Sequence, residues 1–266
     1  MILVALLGLG LGVNSRGVPA PRPDSARHVV VVDAGHGGPD KGMTGFIGQR
    51  AVYEKNITLA VAKKLGASLS RRGYTVVYTR TTDTLIALSD RGRIANQSNG
   101  DLFISVHVNA ANPDWKDPGA ARGFETYFLS EARTEDARRV EEMENEAVRF
   151  ESANARRDSS DALGFILRDM AQNEYLRESS DLAESVNHGL RRVHPGPSRG
   201  VKQAGFRVLV SAYMPAVLVE IGFGTNRADA EFISDPKKQQ TIADALAASI
   251  ASYLAAHDRR LGTGEK

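Results

Sequence analysis

The chain of 266 residues contains no cysteine. That one absence excludes disulfides, thiolate nucleophiles and cysteine-ligated zinc together, so any metal must rest on histidine and carboxylate. An excess of charge is missing too: 34 basic residues meet 32 acidic ones, for a net +2. No Arg-Lys stripe with interleaved aromatics appears, so the chain offers no electrostatic case for nucleic acid. Aromatic residues make up only 6% of the chain against 42% apolar overall, which predicts a core of Val, Leu and Ala. A local zinc motif of the H-E-x-x-H kind is also absent. A metal site would therefore have to be assembled by the fold from distant segments.

The first fifteen residues, Met1 to Ser15, carry no charged side chain. Ile2 to Val13 is apolar and Gly-rich, then gives way to Ser15, Gly17, Ala20 and the prolines Pro19, Pro21 and Pro23. The run is too short to span a bilayer and reads as the core of a signal peptide. This predicts a leader over 1–18, a linker over 19–27, export to the periplasm or cell envelope, and no membrane span once the leader is removed. A single domain over 28–258 follows, then a polar tail over 259–266 expected to fray.

Within the domain, apolar runs alternate with helical periodicity. His28–Asp33 (HVVVVD) and Leu102–Val108 (LFISVHV) read as buried strands. A Gly-rich loop over 34–48 separates the first strand from a helix, in which Ile57, Val61, Leu65 and Leu69 recur at i, i+4 and Gly73 supplies the stop. Further strands are predicted over 74–78, 123–129, 206–210 and 216–221, and a short helix near 91–97. Two helical stretches, about 132–155 and 161–193, interrupt the β/α rhythm, and an amphipathic helix closes the chain from Pro236 to about His257. The pattern predicts an α/β single domain: a mixed, mostly parallel twisted sheet flanked by helices, with a helical insert near the active site.

Four residues stand out chemically. His36 lies in DAGHGG just after a strand, where α/β sheets place their ligands; a dinucleotide fingerprint is excluded because Asp40 takes the third glycine position. His107 sits inside a run that should be buried, where an imidazole must find a partner. Glu54 opens a helix, a position that favours a carboxylate in any protein. Glu220 lies in AVLVEIGF, among Val, Leu and Ile, and has to face a cation, a donor or an open site. Taken singly, each also admits a structural role: a loop histidine, a satisfied core histidine, a cap and an ion pair.

Five strings in register, VVVDAGHGGPDKGMTG, EKNITLAVAKKL, DLFISVHVNA, KQAGFRVL and MPAVLVEIGFGTN, resemble the zinc-dependent N-acetylmuramoyl-L-alanine amidases of bacterial cell walls. The resemblance implies Zn2+ held by His36, Glu54 and His107, with Glu220 as the catalytic carboxylate. It implies hydrolysis of the amide between muramic acid and the first L-alanine of the peptidoglycan stem peptide. Three N/O ligands and an open position suit a catalytic zinc. Two alternatives remain beside it: an inactive scaffold that binds wall or partner, and a zinc peptidase acting within the stem peptide.

The segment over 132–160 adds a possible brake. On a helix, Val140, Met143, Ala147 and Phe150 form an apolar stripe, and Glu151, eleven residues past Val140, shares that face, with Glu144 nearer its edge. Division-associated members of the resembled family carry here a helix whose glutamate fills the open zinc position. AVRFES resembles that stretch, which selects Glu151, although Ser152 stands where the family commonly has Asn. The resemblance further implies activation by a LytM-type partner protein, and the chain is expected to act as a monomer.

Overall fold

A computed structural model describes residues 28–151 and 162–263, with the backbone alone over 162–174. The expected leader, the linker and the end of the insert lie outside the described residues. The elements in order are β1 (Val29–Ala34), β2 (Thr44–Ile47), β3 (Arg50–Tyr53), α1 (Glu54–Arg71), β4 (Thr75–Tyr78), α2 (Leu88–Gln97), β5 (Leu102–Asn109) and β6 (Phe124–Leu129). There follow α3 (Glu135–Asn145), a 3-10 turn (Glu146–Phe150), α4 (Ala162–Leu190), β7 (Ser198–Ala204), α5 (Arg207–Val210), β8 (Ala216–Phe223), α6 (Arg227–Ser234) and α7 (Pro236–Thr263).

Six strands form one sheet in the order β4-β1-β5-β8-β6-β7. The first four are mutually parallel; β6 runs against β8 and carries β7 parallel to itself. β5 and β8, at the centre, are buried at every position, because helices cover both faces. Strand side chains alternate between those faces. Val30 and Val32, then Leu102, Ile104, Val106 and Val108, then Val217, Val219 and Ile221 point one way. They pack with Val61, Leu65 and Leu69 of α1, Leu182 and Val186 of α4, and Ile242, Leu246 and Ile250 of α7. The opposite face holds Val31, Phe103, Tyr127 and Leu218 under Ala137 and Val140 of α3 and the short α5. Towards the carboxyl ends of the parallel strands that second face turns polar, with Asp33, Ser105, His107 and Glu220 all buried.

Three local expectations need correction. Phe206–Val210 is not a strand but the entry to a single helical turn, α5. A five-residue segment such as FRVLV, apolar except for Arg207, is too short to carry a period that separates strand from helix. The neighbouring strand is β7, whose half-buried sequence SRGVKQA lacks an apolar run because it lies at the sheet edge. The loop after β1 contains the hairpin β2–β3, and the closing helix continues past His257 to Thr263. Among the described residues no helix is long and apolar enough to cross a membrane.

Candidate metal centre

Three segments deliver the candidate ligands. The chain leaves β1 with His36 in the left-handed region, φ 60°, followed by Gly37 and Gly38, also at positive φ. A non-glycine residue there costs on the order of 1–3 kcal/mol and persists only where its surroundings enforce it. Two buried arginines do so. Arg91 donates to the carbonyls of Ala34 (2.7 Å) and His36 (3.0 Å), and Arg80 to that of Gly35 (2.8 Å). Arg91 is itself paired with the fully buried Asp33 at 2.8 Å. Glu54 is the first residue of α1, and its carboxylate accepts from the backbone N–H of Met43 and of Val108, both at 2.8 Å. His107 comes from β5. Two glycines make the packing possible: a Cβ on Gly35 would stand 2.5 Å from the His107 ring, and one on Gly42 would stand 2.5 Å from a Glu54 oxygen.

One ligand atom each from His36, Glu54, His107 and Glu144 lie within 4.8 Å of one another, all four residues buried. His36 Nε2 is 3.1 Å from both Glu54 Oε1 and Glu144 Oε2; His107 Nδ1 is 3.2 Å and 2.7 Å from the same atoms. These are ion-pair distances, yet His36 Nε2, His107 Nδ1 and Glu144 Oε2 make no hydrogen bond. Buried polar atoms left this way are costly, and here they converge. The other nitrogen of His36, Nδ1, is held by Asp40 at 2.8 Å, the outer-shell contact that frees Nε2 for a metal.

Electrostatics ask for positive charge at the same point. Burial pulls the His107 imidazole down, but the Glu144 and Glu54 carboxylates outweigh it and hold it up at about 10. Against the same burial, Glu54 and Glu144 raise His36 well above its ordinary value. Both carboxylates lie below the usual range, because the two imidazoles overcome their desolvation. Two protons on the rings satisfy this cluster; so would one dication. The donor set, two nitrogens and carboxylate oxygens without sulfur, fits zinc.

Glu220 is beside this cluster rather than in it. It pairs in register with His107 on β5 and with Glu125 on β6, so the three share one row across the sheet. Neither oxygen of Glu220 has a hydrogen-bond partner, and the residue is fully buried. Burial first, then the Glu144 carboxylate, raises its carboxyl well above the ordinary value. Such a group is poised to hold or release a proton.

A family model described as N-acetylmuramoyl-L-alanine amidase matches residues 30–252. The chain belongs to that family. The N-acetylmuramoyl-L-alanine amidase AmiA of Escherichia coli K12 is 33% identical over 255 residues, covering 95% of this chain and 85% of that protein. The crystal structure of an N-acetylmuramoyl-L-alanine amidase from Clostridium difficile 630 matches with a TM-score of 0.63 at 30% identity, covering 86% of this chain and 97% of that one. The amidase AmiC2 of Nostoc punctiforme matches at 0.62 and 27% identity, covering 87% and 99%. An amidase hydrolase is the activity class these findings support.

The amidase insert corrects one site expectation. Glu144, not Glu151, joins His36, Glu54 and His107. The α-helical count from Val140 fails because α3 ends at Asn145; residues 146–150 form a tighter 3-10 turn and Glu151 is extended, with ψ 152°. Glu144, one turn beyond Val140, thus keeps the inward face, while Glu151 accepts from the Leu88 backbone N–H at 2.7 Å. Sequence reasoning also passed over Glu125 and Asp40. Glu125 carries the signal that exposed Glu220, a carboxylate in the alternating strand FETYFL. Asn109, at the end of β5, donates to Glu125 at 2.6 Å.

Proposed function

We propose that the protein is an exported, zinc-dependent peptidoglycan amidase that its own insert holds closed. What supports this reading most is the convergence of His36 Nε2, His107 Nδ1 and the Glu54 carboxylate, with Glu144 in the remaining position. His36, His107 and Glu54 would hold the ion in the working enzyme. When bound, zinc supplies Lewis-acid polarisation of a carbonyl and makes water more acidic.

The chain's own groups do the rest. Main-chain donors fix the Glu54 carboxylate, and Asp40 fixes the His36 tautomer. Glu220 accepts a proton from the attacking water and passes it to the departing amine of L-alanine as the amide C–N bond to the lactyl group of muramic acid breaks. A cation beside Glu220 would favour its ionised, proton-accepting form. A substrate carbonyl has no approach while Glu144 stands in the cluster, so turnover requires the insert to move. A LytM-type partner drawing α3 away would provide that movement. The N-terminal apolar run supports export, and the protein acts as a monomer.

Substituting Glu144→Ala should raise the basal release of stem peptides with an L-alanine amino terminus from purified sacculi by roughly 10–100-fold. Mass spectrometry reads the products, and elemental analysis should find one zinc per chain, lost in His36→Ala. An unchanged rate in Glu144→Ala removes the closed state. Fragments cut within the stem would instead make the enzyme a peptidase.

A further inference from the structure

The insert touches the sheet at a second charged site that the metal chemistry does not use. Asp136, in the first turn of α3, accepts from Lys202 Nζ at 2.7 Å and from Arg199 Nη2 at 3.1 Å, both residues on β7. The same two cations reach the fully buried Glu125, Lys202 at 2.5 Å and Arg199 at 3.1 Å. Lys202 and Arg199 therefore share two carboxylates, of which only Glu125 belongs to the sheet; Asp136 also lies 3.5 Å from Arg139 of α3 itself. Removing α3 removes Asp136 and leaves one unmatched positive charge. Lys202 and Arg199 are partly exposed, at 17% and 27%, so the charge would meet solvent or a ligand at the rim of the site.

The spacing indicates which ligand. Asp136 and Glu144 lie eight residues apart on one helix, about 12 Å along its axis at 1.5 Å per residue. An extended peptide covers that length in three to four residues. In the row His107–Glu220–Glu125, each step sideways adds about 4.8 Å, and β7 lies one strand beyond β6. α3 thus presents one carboxylate at the reaction centre and another where a peptide leaving group would run.

We propose that Lys202 and Arg199 form a specificity subsite for a free carboxylate on the stem peptide, three to four residues' length from the scissile amide, which Asp136 occupies in the closed state. Glu125 is the positioning residue: it aligns both cations from below and is itself fixed by Asn109 (2.6 Å) and Tyr127 (2.9 Å). The vacating of the subsite by Asp136 rests on the closed-state reading, whereas its discrimination between peptides is measured separately from it.

The test is binding of a synthetic N-acetylmuramoyl peptide, its carboxylates free or converted to primary amides, to Glu144→Ala/Glu220→Gln, in which turnover is slowed at least about a hundredfold by the loss of the Glu220 carboxylate. Calorimetry should show the free form bound about tenfold more tightly. Lys202→Met should abolish that ratio and Lys202→Arg restore it. Should Lys202→Met not fold, Asp136→Asn in the same background should tighten the free form about threefold and leave the amide unchanged. Equal affinities for the two peptides, or equal losses for both in Lys202→Met, would overturn the subsite. If Glu144→Ala fails to raise turnover while discrimination between the peptides persists, the closed state falls and the subsite stands.

Discussion

The two faces of the central sheet are made from alternate residues of the same strands, yet they obey opposite rules. On one, the side chains of Leu102, Ile104, Val106 and Val108 of β5 join a continuous apolar cluster. On the other, Phe103 is followed by Ser105 and His107, and Leu218 by Glu220, each equally buried. The first face can relax its burden onto many interchangeable contacts. The second carries polar groups whose partners are few, and in Glu220 none. Stability thus resides on one side and chemistry on the other, and a shift of register by one residue would exchange them.

The largest effect that could break this division is at Glu220. Glu220→Gln should lower amide hydrolysis about 10²–10⁴-fold, while thermal unfolding stays the same or moves upward, because a buried carboxylate without partners is removed. A large fall in melting temperature would mean that this face is structural after all. Ile104→Ala, on the apolar side, should do the reverse. It should cost roughly 2–5 kcal/mol in denaturant unfolding and leave metal stoichiometry of the folded fraction unchanged. Asp40→Asn sharpens the contrast, since Asp40 Oδ2 holds His36 Nδ1 while Oδ1 accepts only from the Gly42 backbone N–H, a bond that an asparagine oxygen can keep. Metal affinity, measured by chelator competition, should drop about 10–100-fold with little change in unfolding.

The smallest effect lies at the opposite end of the strands. The Asp101 carboxylate, against partial burial and with help from Asp258, raises the His28 imidazole to about 9. A raised folded-state value means that the contribution is complete below about 6.5, the unfolded value, and disappears as pH climbs through about 9. Unfolding midpoints of the parent chain and His28→Gln should therefore differ at pH 6 and converge by pH 10. A difference that grows with pH would exclude the protonated pair.

Much of this was legible in the residues, and the exceptions have physical causes. β1, β5 and β8 announce themselves because both faces are covered, and Glu220 announces itself because those faces are apolar. β7 was hidden because an edge strand need not be hydrophobic, and nothing in SRGVKQA shows that Arg199 and Lys202 meet Glu125 and Asp136. His36, Glu54 and His107 were assigned through family resemblance, and the fold brings them together. Glu151 was selected over Glu144 by the resemblance of AVRFES, on a helical phase carried past the point where α3 tightens; nothing in the apolar stripe marks that change of pitch.

The grip of Glu151 on Leu88 has an evolutionary corollary. The donor is a main-chain N–H, so ordinary side-chain replacement at position 88 cannot delete it. Leu88→Pro alone would, and the backbone already tolerates it: position 88 opens α2, and Ala87 before it is extended at φ −60°, ψ 146°. Variation that loosens this clasp must therefore arise almost entirely within the segment being clasped, which leaves the hydrolytic scaffold free to drift while its restraint is tuned separately.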